Sequence, residues 1–176
     1  MEIIAAITTL ISAILTIKKS IWNWPVGLIG ILAYMLVFLQ QHLYAQTLLQ
    51  VVFTIQTMYG WWYWWKEDKI EPFFMDTMKT LKLFAITIIL SIIIGFFVSK
   101  TDNPSPYLDT LTTLLSLLAT WQISKKIIDG WTTWIITDIF FVVMLLNQKM
   151  YSSAILYSVL SIIAIRGLIK WTKSRI

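Results

Sequence analysis

Cysteine is absent from the chain and histidine occurs once, at His42. The first absence excludes disulfide scaffolds, thiolate metal centres and cysteine nucleophiles together. A single histidine with no acid or cysteine beside it gives no metal site, so no metal ligands and no cofactor are assigned. Acids are scarce as well: 176 residues hold nine Asp and Glu, and Asp138 is the only one expected well inside a helix. A membrane hydrolase would need a nucleophile, a base and an orienting group. No His–acid or multi-acid cluster supplies them, so the chain is not read as an enzyme and no catalytic residues are named.

Apolar residues dominate instead, at 58% of the sequence and a mean hydropathy of +0.75, which is more apolar surface than one soluble domain can hide from water. The net charge of +5 does not point to nucleic acid, because the basic residues come as pairs between long apolar runs and form no groove-sized patch. Met1-Glu2 runs directly into an apolar segment without a basic leader region or a small-residue cleavage site. That segment is expected to be retained as the first helix.

A membrane span takes roughly 20 predominantly apolar residues, with a lower limit near 17. On that measure the sequence predicts seven helices, near Ile3–Ser20, Trp24–Leu39, Tyr44–Trp65, Leu81–Val98, Leu108–Ser124, Trp131–Leu146 and Tyr151–Trp171. Asn23-Trp24-Pro25 and Asp129-Gly130 mark helix entries, since Pro suits the first helical turn and Asp can cap free amides. His42 and Asn147 fall in tight turns, where solvation explains them. Lys18, Lys19, Lys66, Lys69, Lys79, Lys82, Lys125, Lys126, Lys170, Lys173 and Arg175 collect on one side of these spans, against Lys100 and Lys149 on the other. Cytoplasmic connections carry the basic excess, so the amino terminus is expected outside and the carboxy terminus in the cytoplasm. Most of the tryptophans, among them Trp22, Trp24, Trp61, Trp62, Trp64, Trp65, Trp131 and Trp171, cluster at the inner boundary as an aromatic belt would.

The sequence also repeats itself without gaps at an offset of 107 residues. Trp24 falls on Trp131, Tyr44 on Tyr151, Gly60 on Gly167, Trp64 on Trp171 and Lys18-Lys19 on Lys125-Lys126. The predicted architecture is therefore an all-α integral membrane bundle of two parallel three-helix repeats, at 1–66 and 108–176. They are joined by a cytoplasmic loop and a linking helix at 67–107. Repeats of this kind recur in transporters whose site lies near the midplane, although fold alone does not fix function.

Polar residues inside the spans give the candidate site. Gln46, Gln50, Thr54 and Thr57 occupy about one quarter of the circumference of the third helix. Ser153, Tyr157, Ser161 and Ala164 stand at the matching positions of the seventh. Either the two stripes line a common pathway or they are interhelical glue, worth about 0.6 kcal/mol per contact. On the sixth helix, Trp131, Trp134 and Asp138 project from one face at i, i+3 and i+7, and the first repeat has Trp24, Gly27 and Ile31 there. An ionised group at such depth costs about 2.5–3.5 kcal/mol to insert. Two indoles beside a carboxylate suit a flat cationic ring, with cation–π attraction of about 2 kcal/mol once desolvated. An ion pair from Asp138 to Arg166 is the structural alternative, although Arg166 points away from the polar face of its helix. Gln122 at the inner end of the fifth helix can reach the same space, or serve in capping or packing.

Trp22-Asn23-Trp24-Pro25-Val26-Gly27, Leu43-Tyr44-Ala45 through Leu48-Leu49-Gln50 to Tyr59-Gly60-Trp61, and Trp131-x-x-Trp134-x-x-x-Asp138 together resemble the PnuC-type family of bacterial vitamin transporters. The resemblance runs from about Lys18 to Trp171, with Gln56 and Arg166 departing from the family pattern. It implies a seven-helix fold similar to the sugar-transporting SWEET proteins, in the bacterial inner membrane. It also implies facilitated uptake of nicotinamide riboside, with thiamine or riboflavin as alternatives, and trapping by phosphorylation inside. By the same resemblance Trp131, Trp134, Asp138 and Gln50 belong to the substrate site. The expected partners are a small-molecule vitamin and the lipid bilayer, with a homo-oligomer left open. A reading from a different class makes the chain a structural subunit of a membrane complex, its polar stripes serving only to dock helices.

Overall fold

The computed structural model describes residues 2–40 and 44–174. Among them lie seven α-helices: α1 (Glu2–Ile17), α2 (Asn23–Gln40), α3 (Tyr44–Lys66), α4 (Thr77–Val98), α5 (Pro106–Ser124), α6 (Asp129–Asn147) and α7 (Tyr151–Lys173). All seven expected spans are present, with ends displaced by a few residues. The largest shift at a helix start is at α4, which begins at Thr77 because the Asp76 carboxylate accepts a hydrogen bond from the Lys79 backbone N–H at 3.1 Å and so caps the helix ahead of its apolar run. The turn at His42 and the terminal Arg175 lie outside the described residues.

The chain divides into two compact units, residues 1–71 with 124–126, and residues 72–123 with 127–176. In the first, α1 packs on α2 and α2 on α3; in the second, α6 packs on α7. Helices α2, α4, α6 and α7 are long and apolar enough to cross a membrane, and residues Ile3–Ile17 of α1 form a shorter apolar helix. On α4, Ile88, Ile89, Ile92 and Ile93 are exposed while Thr87, Ser91 and Gly95 are buried. A Cβ on Gly95 would lie 2.7 Å from the Tyr107 ring. The small face of α4 therefore meets protein and its branched apolar face is left for lipid.

Helix α5 is studded with hydroxyls yet largely buried, and its own backbone explains how. Thr110, Thr112, Ser116 and Thr120 each donate to the carbonyl four residues earlier, at 2.7, 2.9, 2.8 and 2.8 Å. A hydroxyl satisfied within its own helix needs no water and can enter an apolar layer at little cost.

The repeat is visible in local geometry. Lys19 (φ 56) and Lys126 (φ 58), at the 107-residue offset, both adopt the left-handed conformation. Each sits in the same closing turn: Ser20 N–H donates to Leu15 at 3.0 Å, and Ile127 N–H to Gln122 at 2.9 Å. This six-to-one bond ends α1 and α5 alike. The two lysines also have structural work beyond the topology signal read from sequence. Lys19 pairs with the Glu71 carboxylate, whose pKa it holds below the usual value through that hydrogen bond and its charge. Lys126, buried, donates to the carbonyls of Glu67, Asp68 and Ile70 at 2.8, 3.1 and 2.9 Å. The loop that follows α3 thus has a cation beneath it, and desolvation pushes the Lys126 pKa down.

Four of the tryptophans expected in an interfacial belt are buried instead. In the first unit the Trp24 ring covers Gly60 and meets Trp64 edge-on at 5.5 Å; in the second Trp131 covers Gly167 and meets Trp171 edge-on at 5.4 Å. Their exposures run from 0% to 4%, whereas Trp22, Trp61, Trp62 and Trp65 are exposed as a belt requires. The cause is the glycine, which lets an indole lie flat on the backbone of the next helix. A Cβ at Gly60 would stand 2.3 Å from the Trp24 ring, and one at Gly167 2.6 Å from Trp131. Gly60→Ala and Gly167→Ala are each expected to destabilise the protein by about 1–3 kcal/mol through overpacking. Thermal unfolding in detergent checks this, and unchanged midpoints would mean that the rings are not fixed by the glycines.

Candidate functional site

The polar groups of the second unit gather on α5 and α6. Asp129 opens α6 and its carboxylate accepts from the Met75 N–H at 2.9 Å, which anchors the helix start. Gly130 lets α6 approach α5 closely: a Cβ there would be 3.0 Å from both Gln122 and Ile123. At that approach the Thr133 hydroxyl donates to the Gln122 Oε1 at 2.6 Å, and Thr137 donates to the Thr133 carbonyl at 2.7 Å. Gln122, Thr133 and Thr137 are fully buried and Asp138 is 2% exposed.

Asp138 lies nine residues into a helix of 19, about 14 Å along its axis and so near its middle. Among the described residues its Oδ1 is buried without a hydrogen-bond partner, and so are Gln122 Nε2 and Trp131 Nε1. No ion pair engages Asp138 among the described residues, and Arg166 is exposed on α7. The ion-pair alternative is therefore not supported. Buried polar atoms are nearly always paired, so orphans mark places where a ligand or water completes the bonding.

The first repeat separates scaffold from site among these orphans. Trp24 Nε1 is buried and unpartnered just as Trp131 Nε1 is, so that orphan accompanies the shared packing of indole on glycine. Gln122, Thr133, Trp134, Thr137 and Asp138 instead correspond to Leu15, Val26, Gly27, Gly30 and Ile31. The repeat fold does not need any of those five polar or aromatic side chains.

Trp134, Asp138 and Phe141 share a face of α6 at i, i+4 and i+7. Tyr157 of α7 stacks on Phe141 with ring centroids 4.3 Å apart. Of the residues expected from sequence, the structure thus gathers Gln122 with the Thr133 turn, and Tyr157 with the Asp138 face. Trp131 is committed to Gly167 and Trp171, and Ser161 is half-buried on α7. In the first unit, along α3, Gln46 is exposed, Gln50 and Thr54 are half-buried and Thr57 is buried. The Thr54 hydroxyl returns to the Gln50 carbonyl at 2.8 Å. Thr133 and Phe141 were not singled out by sequence reasoning. Phe141 was legible as the i+7 partner of Trp134, and Thr133 only through its contact with another helix.

Residues 1–173 match the family described as "Nicotinamide mononucleotide transporter". The "Nicotinamide riboside transporter PnuC" of Escherichia coli (strain K12) is 24% identical over 203 aligned residues, covering 98% of this chain and 85% of that protein. The protein of the same description from Shigella flexneri matches to the same extent. A solved structure, "Crystal structure of the Vitamin B3 transporter PnuC", has the same fold, with a TM-score of 0.78 at 19% identity over 97% of this chain and 79% of that one. Seven helices of this arrangement and a family match spanning nearly every residue place the chain among transporters rather than enzymes: it belongs to the nicotinamide mononucleotide transporter family.

Proposed function

We propose that this protein carries nicotinamide riboside across a bacterial inner membrane by facilitated diffusion, and that phosphorylation inside the cell traps it. The observation that carries the reading is the unpartnered Asp138 carboxylate oxygen at the middle of α6, on a face shared with Trp134 and Phe141. A pyridinium ring brings positive charge to that carboxylate and a flat surface to the indole. Trp131 holds α6 against α7, while Trp134, Gln122 and Tyr157 act with Asp138 on the substrate.

The family description names the mononucleotide and the relatives' names the riboside. A carboxylate at Asp138, ionised when a cationic ligand lies beside it, favours the second. A phosphate brought within about 6 Å of a carboxylate meets repulsion of about 3 kcal/mol per unit charge at an effective dielectric of about 20. The riboside has no such group. Phosphorylation after entry then yields a product that this site rejects, which keeps it inside. Thiamine shares the cationic ring, and riboflavin lacks the charge.

Uptake of radiolabelled ligands into liposomes holding only this protein is the direct test. Nicotinamide riboside is expected to accumulate to equilibrium and its mononucleotide to be excluded; faster entry of thiamine would reassign the substrate, and entry of neither would return the chain to a structural subunit. Asp138→Asn keeps the shape while deleting the charge, so it is expected to weaken riboside binding several-fold. Trp134→Ala is expected to cost about 1–3 kcal/mol of stacking. Calorimetry on both variants measures these losses, and unchanged affinity would remove the two residues from the site. On α3, Gln50→Leu is expected to lower uptake at normal abundance; normal uptake would leave that stripe as helix glue.

The basic excess supports an amino terminus outside and a carboxy terminus in the cytoplasm. The chain has no cysteine, so single-cysteine labelling is clean. Ser174→Cys is expected to react with an impermeant reagent only after the cells are opened, and Lys100→Cys in intact cells. The reverse pattern would invert the topology.

A further inference from the structure

Among the described residues Gln122 has one side-chain partner, the Thr133 hydroxyl, at 2.6 Å from Oε1. Thr133 is also 3.1 Å from the Asp129 carbonyl four residues back. It has one proton for these two acceptors. The shorter contact lies at the strong end of the O–H···O range and the longer one beyond it, so the proton belongs to Gln122. The amide is thereby oriented: its oxygen is consumed by Thr133, and its Nε2, fully buried, is left with two N–H groups and no acceptor among the described residues. Were the amide reversed, Nε2 would donate to Thr133, Thr133 would donate to Asp129, and the site would present an acceptor. The threonine proton decides which.

We infer that Thr133 is a positioning residue that locks Gln122 as a hydrogen-bond donor, so that the site selects a ring ligand carrying a carbonyl acceptor, as the carboxamide of a nicotinamide does. The inference rests on the riboside reading above and sharpens it. Thr133 immediately precedes Trp134 on α6, and neither Gln122 nor Thr133 has a polar counterpart in the first repeat, where Leu15 and Val26 stand. The two orphaned side chains are complementary in kind, since Gln122 offers donors and Asp138 offers an acceptor. A carboxamide oxygen accepts the hydrogen bonds that Gln122 Nε2 has to give. Pyridinium charge and ribose hydroxyls can use the carboxylate.

The test is calorimetry of the purified, full-length protein with two ligands, nicotinamide riboside and the pyridinium riboside that lacks the carboxamide. Wild type is expected to bind the first about tenfold more tightly, because the second leaves a buried donor unpaired. Thr133→Val keeps the shape and removes the proton. It is expected to reduce the preference to about twofold or less by weakening the riboside alone, while Thr133→Ser retains it. Should Thr133→Val not fold, Gln122→Leu decides: it is expected to lose the preference, because no buried donor is then left for the pyridinium riboside to leave unpaired. Equal weakening of both ligands in Thr133→Val, or full preference retained in Thr133→Val or in Gln122→Leu, overturns the inference. Wild type that binds the riboside without preferring it also overturns the inference and leaves the transport reading intact. Wild type that binds neither ligand overturns both.

Discussion

Inside a bilayer a polar atom has no water to turn to, and each one must find its partner within the protein. In this chain the constraint is met mainly by helices bonding to themselves. Thr8, Thr9 and Thr16 on α1 and Ser158 on α7 follow the hydroxyls of α5 in returning to backbone carbonyls one turn earlier. That arrangement lets residues of modest polarity face other helices without a second helix having to supply a donor or acceptor. It also makes exceptions informative. Where a buried amide or carboxylate has been left open, as at Gln122 and Asp138, nothing in the helix itself can close it.

The two repeats show how such openings were introduced without disturbing the frame. Both keep the lysine in the left-handed turn, the tryptophan laid on glycine and the second tryptophan edge-on to the first. These features fix the lysine-bearing ends of the helix pairs through shape and backbone bonding. One or two turns further in, the repeats part. The first has glycine and branched apolar residues where the second has Thr133, Trp134, Thr137 and Asp138. The glycines of the first repeat serve close packing, with Gly27 against Ser12 and Gly30 against Thr8. In one repeat these positions serve helix contact, and in the other they carry polar and aromatic side chains.

Much of this was legible in the sequence. Helix number and order followed from apolar run lengths, and the repeat from tryptophans, glycines and basic pairs at one spacing. Asp138 stood out because a lone acid in an apolar run is costly. What stayed hidden depended on contacts between distant residues. Trp24 and Trp131 read from sequence like any belt tryptophan, and only the approach of Gly60 and Gly167 turns them into the protein. Lys126 reads as a topology signal until its ammonium is found beneath three carbonyls. Gln122 was nameable as polar and near the inner end of its helix, but the direction of its amide is set by Thr133, eleven residues away on the next helix.

Under the proposed function, with Gln122 and Asp138 at the substrate site of a uniporter, that direction bears on how the carrier works. A uniporter must hold its substrate firmly enough to recognise it and loosely enough to release it. A site built from many bonds would fail the second requirement. One donor pair and one carboxylate oxygen, both desolvated, meet the two demands differently. Each gives modest affinity when matched, since a net hydrogen bond is worth about 0.5–1.5 kcal/mol. Each is penalised by about 1–3 kcal/mol when a wrong ligand leaves it unpaired. Selectivity then comes from the cost of the mismatch more than from the strength of the match. The same asymmetry explains why the polar side chains are so few and so deeply buried: exposed to water, an unmatched Gln122 or Asp138 would lose little, and the site would no longer distinguish its substrate.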